Sequence, residues 1–223
     1  MITGIEGRPG AGKSLYALRR VLGSLRGGKT VVTNMRSISA HKVAWAIHRE
    51  TNRPRRMILD RIKIMETWEL NDWVKDGRLR NCDLYLDEVM VTWLSRDWSK
   101  MNRGTIEFFS QHRKYNVNFF YITQSVDRID STLRDMTQEY ITMRNTRFWK
   151  FGFIGLPQFF LAIHTAEDRK TVMKREWIFP DEKLYSMYDS WHIFTKDPAN
   201  TEKQDEIPDD QGNVYPIQKR GAK

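Results

Sequence analysis

The apolar positions of the chain switch between two periods, and the switches mark its elements. Ile2-Thr-Gly-Ile-Glu6 is a short apolar-rich run of strand length. From residue 13 the spacing becomes helical, with Leu15, Leu18, Val21, Leu22 and Leu25 forming one stripe. Gly27-Gly28 ends this helix, predicted over 13–26. Lys29–Thr33 reads as a short buried strand closed by Asn34. Residues 40–50 return to the helical period, with Val43, Ala46 and Ile47 on one face. Asn52–Arg56 reads as a basic loop, Arg61–Met65 as a strand, Glu66–Val74 as a helix and Asp76-Gly77 as a turn. Asp83–Leu86 reads as a buried strand beside the first one, ending in Asp87-Glu88. Residues 104–114 are expected to be helical, with Ile106, Phe109 and Phe108 turned inward. Asn118–Thr123 is a further buried strand ending in Gln124; a helix over 129–137 and a strand over Tyr140–Met143 follow. Strands alternating with helices predict an α/β fold around a mainly parallel sheet.

After about residue 145 the pattern changes. Phe148–Ile163 is aromatic and broken by Gly152, Gly155 and Pro157, and reads as a hairpin or apolar flap. Thr171–Ile178 reads as a final strand, and 196–223 as a polar, flexible tail containing Pro198, Pro208 and Pro216. The expected organisation is one domain over 1–195, with 148–192 as an aromatic extension, and a tail over 196–223. The nearly apolar run Phe151–Ile163 is 13 residues with a proline inside, too short to span a bilayer. No signal peptide fits the start of the chain. Cys82 is the only cysteine, so no disulfide forms within the chain, consistent with a reducing cytosol.

Charge adds a candidate partner class. Lys and Arg outnumber Asp and Glu by 37 to 28, a net charge of +9. That balance suits a polyanion, either nucleic acid or an anionic membrane surface, and equally suits plain solubility. Arg53, Arg55 and Arg56 cluster, as do Arg144, Arg147 and Lys150 beside Phe148 and Trp149. Basic groups with aromatic faces match single-stranded DNA, and equally match a solvated charged loop.

The chemistry centres on Gly7-Arg8-Pro9-Gly10-Ala11-Gly12-Lys13-Ser14, with Leu15 following. These residues fit G-x-x-x-x-G-K-[ST] between a strand and a helix. The glycines let the backbone curl around a phosphate, and the helix N-terminus attracts it. Lys13 would reach the β- and γ-phosphates of ATP, and Ser14 would ligate Mg²⁺. Asp87 is placed to hold the metal's hydration shell and Glu88 to act as general base on water. Gln124, on the next strand end, would orient that water or sense the γ-phosphate. Together these motifs predict a P-loop NTPase three-layer sandwich of the RecA/ASCE type. The histidines and Cys82 show no zinc-ligand spacing.

The ordered set of motifs resembles the zonular occludens toxin (Zot)-like assembly ATPases of filamentous phages, within the FtsK–HerA branch. It comprises Gly7–Ser14, Val31-Val-Thr-Asn34, Leu86-Asp-Glu88, Ser95-Arg96, His112-Arg-Lys114, Thr123-Gln124 and Tyr185–Ser190, spanning residues 1–192. The resemblance implies an ATP-driven motor that moves viral DNA during virion assembly or extrusion. It implies a homo-oligomeric ring, a hexamer, in which a neighbour's arginine completes each site; Arg96, Arg128 and Arg134 are candidates, with Arg96 and Arg134 preferred. Expected partners are viral DNA and virion or membrane assembly proteins. The expected place is the host cytoplasm, peripheral at the inner membrane or at a virion vertex. Members that drive extrusion continue into a membrane-spanning helix and a periplasmic part, and this chain carries neither. A soluble member, a soluble part of a longer protein, and a genome-packaging ATPase of a membrane-containing icosahedral phage therefore stay open. A P-loop kinase or nucleotide switch is the contrasting class.

Overall fold

A computed structural model describes residues 1–88, 103–146, 150–151, 154–155, 159–179 and 181–188. Arg96, Arg147, Phe148, Trp149, Gly152, Pro157 and the expected tail lie outside the described residues. The strands are β1 (Ile2–Glu6), β2 (Thr30–Thr33), β3 (Ile62–Ile64), β4 (Cys82–Leu86), β5 (Val117–Thr123), β6 (Glu139–Asn145), β7 (Lys150–Phe151), β8 (Ile154–Gly155), β9 (Phe160–Ala166) and β10 (Val172–Ile178). The helices are α1 (Lys13–Arg26), α2 (Ala40–Thr51), α3 (Arg55–Leu59), α4 (Thr67–Lys75), α5 (Arg103–Gln111), α6 (Ser131–Asp135) and α7 (Glu182–Ser186).

Eight strands form one sheet in the order β10-β9-β6-β1-β5-β4-β2-β3. From β6 to β3 every pair is parallel; β9 and β10 run antiparallel on the far edge. One core packs α1, α2 and α7 against one face, through Leu18, Val21, Ile47 and Leu184. The second core packs α4, α5 and α6 on the other, through Leu70, Phe109 and Leu133. The result is the expected three-layer α/β sandwich with a mainly parallel sheet.

The order of strands corrects one expectation. β4 does not lie beside β1, because β5 separates them. Pattern explains the placement: β5 is apolar on both faces. Phe119 and Tyr121 enter one core, Phe120 and Ile122 the other, so a central position buries all four.

Element ends moved for local reasons. The expected basic loop at 52–56 instead opens α3, and Arg53 is used structurally: its guanidinium donates to Arg26 O at 2.8 Å and Leu25 O at 3.4 Å, satisfying carbonyls at the end of α1. The helix expected over 104–114 stops at Gln111, and the turn after it places Asn116 at φ 53°. The helix expected over 129–137 is only α6, where the Asp130 carboxylate accepts from Thr132 N–H at 2.7 Å as an N-cap. The hairpin or apolar flap expected over 148–163 contains the small antiparallel β7–β8 ribbon, but its end joins the main sheet, where Phe160–Ile163 belong to β9. Among the described residues no helix is long and apolar enough to cross a membrane.

Candidate phosphate-binding site

β1 delivers the chain to Gly7 at the carboxyl edge of the parallel strands, and α1 starts at Lys13. Between them Gly10 (φ 75°) and Gly12 (φ 88°) occupy the left-handed region, which other residues enter at a cost of roughly 1 kcal/mol or more. Gly12 is constrained twice, since a Cβ there would lie 2.6 Å from Phe160 Cδ1 on β9. Two hydrogen bonds fix the curl: Ala11 N–H donates to Arg8 O at 3.0 Å, and the Asn145 amide at the end of β6 donates to Gly10 O at 2.9 Å. Among the described residues no side chain caps α1. Its first N–H groups therefore lack a capping acceptor and suit an anion.

Lys13 folds back over this loop, its ammonium donating to Gly7 O at 2.9 Å and Arg8 O at 3.3 Å. Burial lowers its pKa, and the charges of Asp87 and Glu88 partly oppose that. The expected carboxylates thus face the expected lysine even though β5 intervenes between their strands. Asn34 fixes where they sit. Its side-chain carbonyl accepts from Asp87 N–H at 2.7 Å, and its amide donates to Asp87 O at 3.0 Å, so β2 clamps the turn after β4 from both sides. Glu88 follows at φ 49°, a left-handed conformation that costs a side-chain-bearing residue about 1–3 kcal/mol and concentrates at functional sites. This turn presents Glu88 to solvent while its N–H donates to Asp87 Oδ1 at 2.9 Å.

Burial pushes the Asp87 carboxyl up from 3.8 to about 6, with Glu88's charge adding; hydrogen bonds from Glu88 N–H and the Ser14 hydroxyl, and the charge of Lys13, recover only part. An ionised, half-buried carboxylate bonded to Ser14 fits a divalent cation, and Ser14 and Asp87 are the residues that would hold it. The sign of the linkage follows. With its folded pKa raised, ionised Asp87 costs stability above about pH 6, by at most about 3 kcal/mol at full ionisation. The cost fades as pH falls from about 6 towards 4. Asp87→Asn is therefore expected to raise the melting temperature of the metal-free protein at neutral pH, to flatten its pH dependence over that window, and to remove stabilisation by Mg²⁺. Thermal melts with and without Mg²⁺ across this range check all three.

Of the remaining expected site residues, Gln124 follows the strand next to β4 at the same carboxyl edge, while Arg134 lies on α6 and Arg128 in the turn before it. Gln124 is exposed directly after β5, the strand between β1 and β4. Its turn is set by Thr123 Oγ1 donating to Ser125 O at 3.1 Å and by Glu6 accepting from Val126 N–H at 3.2 Å. Arg134 sits on α6 with its Nε buried and, among the described residues, without a hydrogen-bond partner, while its backbone carbonyl accepts from Tyr140 Oη at 2.9 Å. Arg128 is exposed.

Three contributors to the site escaped the sequence reading: Asn34 as a clamp, Asn145 as a loop anchor, and Phe160 as the wall against Gly12. Asn34 carried a signal, a polar residue closing a buried strand. Asn145 lay beyond the expected end of its strand, and Phe160 had none. A separate cleft of about 480 Å³ runs along α1 away from the loop, lined by Tyr16, Arg20, Ser24, Lys29, Asp83 and Lys174, among others. Its charges are largely matched internally, Lys29 with Asp83 at 3.0 Å and Lys174 with Glu176 at 3.3 Å.

Comparison with known proteins supplies the context. The family model "Zonular occludens toxin (Zot)" matches residues 1–192. The Gene 1 proteins of Enterobacteria phage I2-2 and Salmonella phage IKe are each 27% identical to the chain over 213 residues. In both matches 86% of the chain aligns, and it spans 57% of the length of these relatives. The N-terminal domain of zonular occludens toxin from Neisseria meningitidis superposes with a TM-score of 0.55 at 14% identity, covering 84% of this chain and 98% of that one. The RadB recombinase gives 0.52 at 15% identity, covering 82% and 88%. At these identities the structural likeness establishes the P-loop NTPase fold.

Proposed function

Because the chain belongs to the zonular occludens toxin (Zot) family, we propose that it is an ATP-hydrolysing P-loop motor that moves phage DNA during virion assembly or extrusion. One observation carries the enzymatic part: the Gly7–Ser14 loop meets Asp87-Glu88 across the carboxyl edge of the sheet, with Lys13 inside the field of both carboxylates. The loop N–H groups bind the phosphates, and Lys13 exchanges its loop carbonyls for β- and γ-phosphate oxygens. Ser14 and Asp87 would hold Mg²⁺, which would neutralise phosphate charge when bound. Glu88 takes the proton from the attacking water, and Gln124 orients it. An arginine from the next subunit of a ring, Arg96 or Arg134, completes the site.

The viral part rests on the family and on relatives that are phage proteins. The net charge of +9 agrees with DNA as the moved polymer. The motor would work on the cytoplasmic side of the host membrane, docked on membrane or virion assembly proteins.

The test is the steady-state ATPase rate with and without DNA. The expected result is hydrolysis to ADP and phosphate, accelerated by DNA and weakened by raised salt as phosphate contacts are screened. Turnover indifferent to DNA but dependent on a phosphate acceptor would replace the motor with a kinase.

A further inference from the structure

The cleft of about 480 Å³ along α1 is no part of the phosphate-binding site. Its lining joins Lys174 and Glu176 of β10 to Asp83 of β4, strands that lie on opposite sides of β1 in the sheet. Arg19, Arg20 and Arg26 of α1, with Lys29 just after it, complete the charged lining, so five cations face two carboxylates.

Neither carboxylate offsets that surplus. Asp83 is 4% exposed and is satisfied within the wall, accepting from the Ser24 hydroxyl at 2.6 Å, the Asn118 amide at 2.7 Å and the Lys29 ammonium at 3.0 Å. Glu176 is shared between Arg19 at 3.1 Å and Lys174 at 3.3 Å. Arg26 turns to Glu50 on α2, at 2.6 and 3.0 Å. Among the described residues Arg20 makes no ion pair; its guanidinium lies over the Phe120 ring, 5.4 Å from the centroid. An arginine stacked by its face presents its N–H edge to a phosphate. Gly23 is part of the same lining. Glycine inside a helix weakens it, and among the described residues nothing asks for one here, since an added Cβ would meet no neighbour within 4 Å. Its effect is to leave the helix backbone open to the close approach of a ligand.

We propose that this cleft holds the phosphodiester backbone of a single strand of DNA, with Arg19 and Arg20 on its phosphates and the strand passing over Gly23. The proposal rests on the motor reading of the chain and gives DNA a place to act. The cleft is on the scale of a small-ligand pocket, so it admits one strand and not a duplex. α1 then joins the two ligands: it opens at Lys13 and Ser14 beside the ATP phosphates, and Arg20 stands about two turns further along the same helix.

The experiment titrates the full chain with labelled oligothymidylate over a range of salt concentrations, and in parallel with ATP and Mg²⁺. Arg19→Gln and Arg20→Gln are each expected to weaken oligothymidylate binding about fivefold at about 0.1 M salt. Each should also reduce the slope of log affinity against log salt by about 0.7, the loss of one phosphate contact on a single strand. Arg20→Lys, which keeps the charge, should restore most of that affinity. Gly23→Gln places a good helix former on the cleft floor and should weaken DNA binding without lowering the melting temperature. All four variants should keep wild-type ATP affinity and DNA-free ATPase rate, while the DNA concentration for half-maximal stimulation rises about fivefold in the two arginine-to-glutamine variants. Wild-type DNA affinity and salt slope in folded Arg19→Gln, Arg20→Gln and Gly23→Gln overturns the cleft site and leaves the motor reading intact. Unchanged oligothymidylate binding with weakened binding to anionic lipid vesicles makes the cleft a membrane contact and likewise overturns it. Wild-type protein that hydrolyses ATP yet neither binds DNA nor responds to it overturns the motor reading and the cleft site together.

Discussion

Glu88→Gln is expected to keep ATP bound and to slow its hydrolysis by roughly 100- to 10,000-fold, the contribution of a positioned general base. The amide preserves the size of the side chain and its place in the left-handed turn at φ 49°, but cannot take a proton from water. Binding should survive because the groups proposed to hold phosphate, the Gly7–Ser14 backbone and Lys13, lie in the loop after β1 and at the start of α1 and are untouched. The Glu88 N–H that donates to Asp87 Oδ1 is also retained, so the carboxylate proposed to hold the metal keeps its orientation. Lys13→Ala gives the contrasting phenotype, in which binding and hydrolysis fall together. Nucleotide binding measured beside single-turnover hydrolysis separates the two variants. Normal hydrolysis per bound ATP in Glu88→Gln would show that the base lies elsewhere.

The parts of this site legible in the sequence are those written in local spacing. Strand, glycine loop and helix follow one another within residues 2–26, so periodicity and motif sufficed to place Lys13 and Ser14. Asp87 and Glu88 were legible because an apolar run of strand length ends on them. Strand order was not legible, because pairing between residues 2–6, 82–86 and 117–123 depends on which strand buries most on both faces, a property of the whole sheet. The same limit hid Asn34 and Asn145, whose roles depend on reaching Asp87, 53 positions away, and Gly10, 135 positions away. Phe160 was obscured differently. Glycine, proline and aromatic residues around it read locally as a flap, yet Phe160, Ala162 and Ile178 belong to the core under α1, where tertiary burial outweighs the local breakers.

Mixing two inactive variants, Lys13→Ala and Arg134→Ala, is expected to restore activity if the protein works as a ring with its arginine supplied between subunits. An arginine added across an interface contributes about 10³–10⁵ in rate, so either homogeneous variant should be nearly silent. In a head-to-tail ring formed from equal amounts, about one interface in four joins an intact Lys13 to an intact Arg134, and activity should recover towards that fraction. Of the two preferred arginines Arg134 is the one within the described residues, and among these its buried Nε makes no hydrogen bond that the substitution would break. The substitution should spare the fold, because the contact made by Arg134 that orders Tyr140 runs through the backbone carbonyl, not the side chain. A melting curve for Arg134→Ala close to wild type checks that premise before mixing. Arg96→Ala, tested in the same pairing, distinguishes the two candidates: rescue by one mixture identifies the residue that crosses the interface. If cross-linking confirms mixed rings and neither mixture recovers activity, both arginines leave the mechanism. Charge stabilisation at the γ-phosphate must then come from Arg128, the third candidate, or from within the subunit, where Lys13 is the cation already inside the field of Asp87 and Glu88.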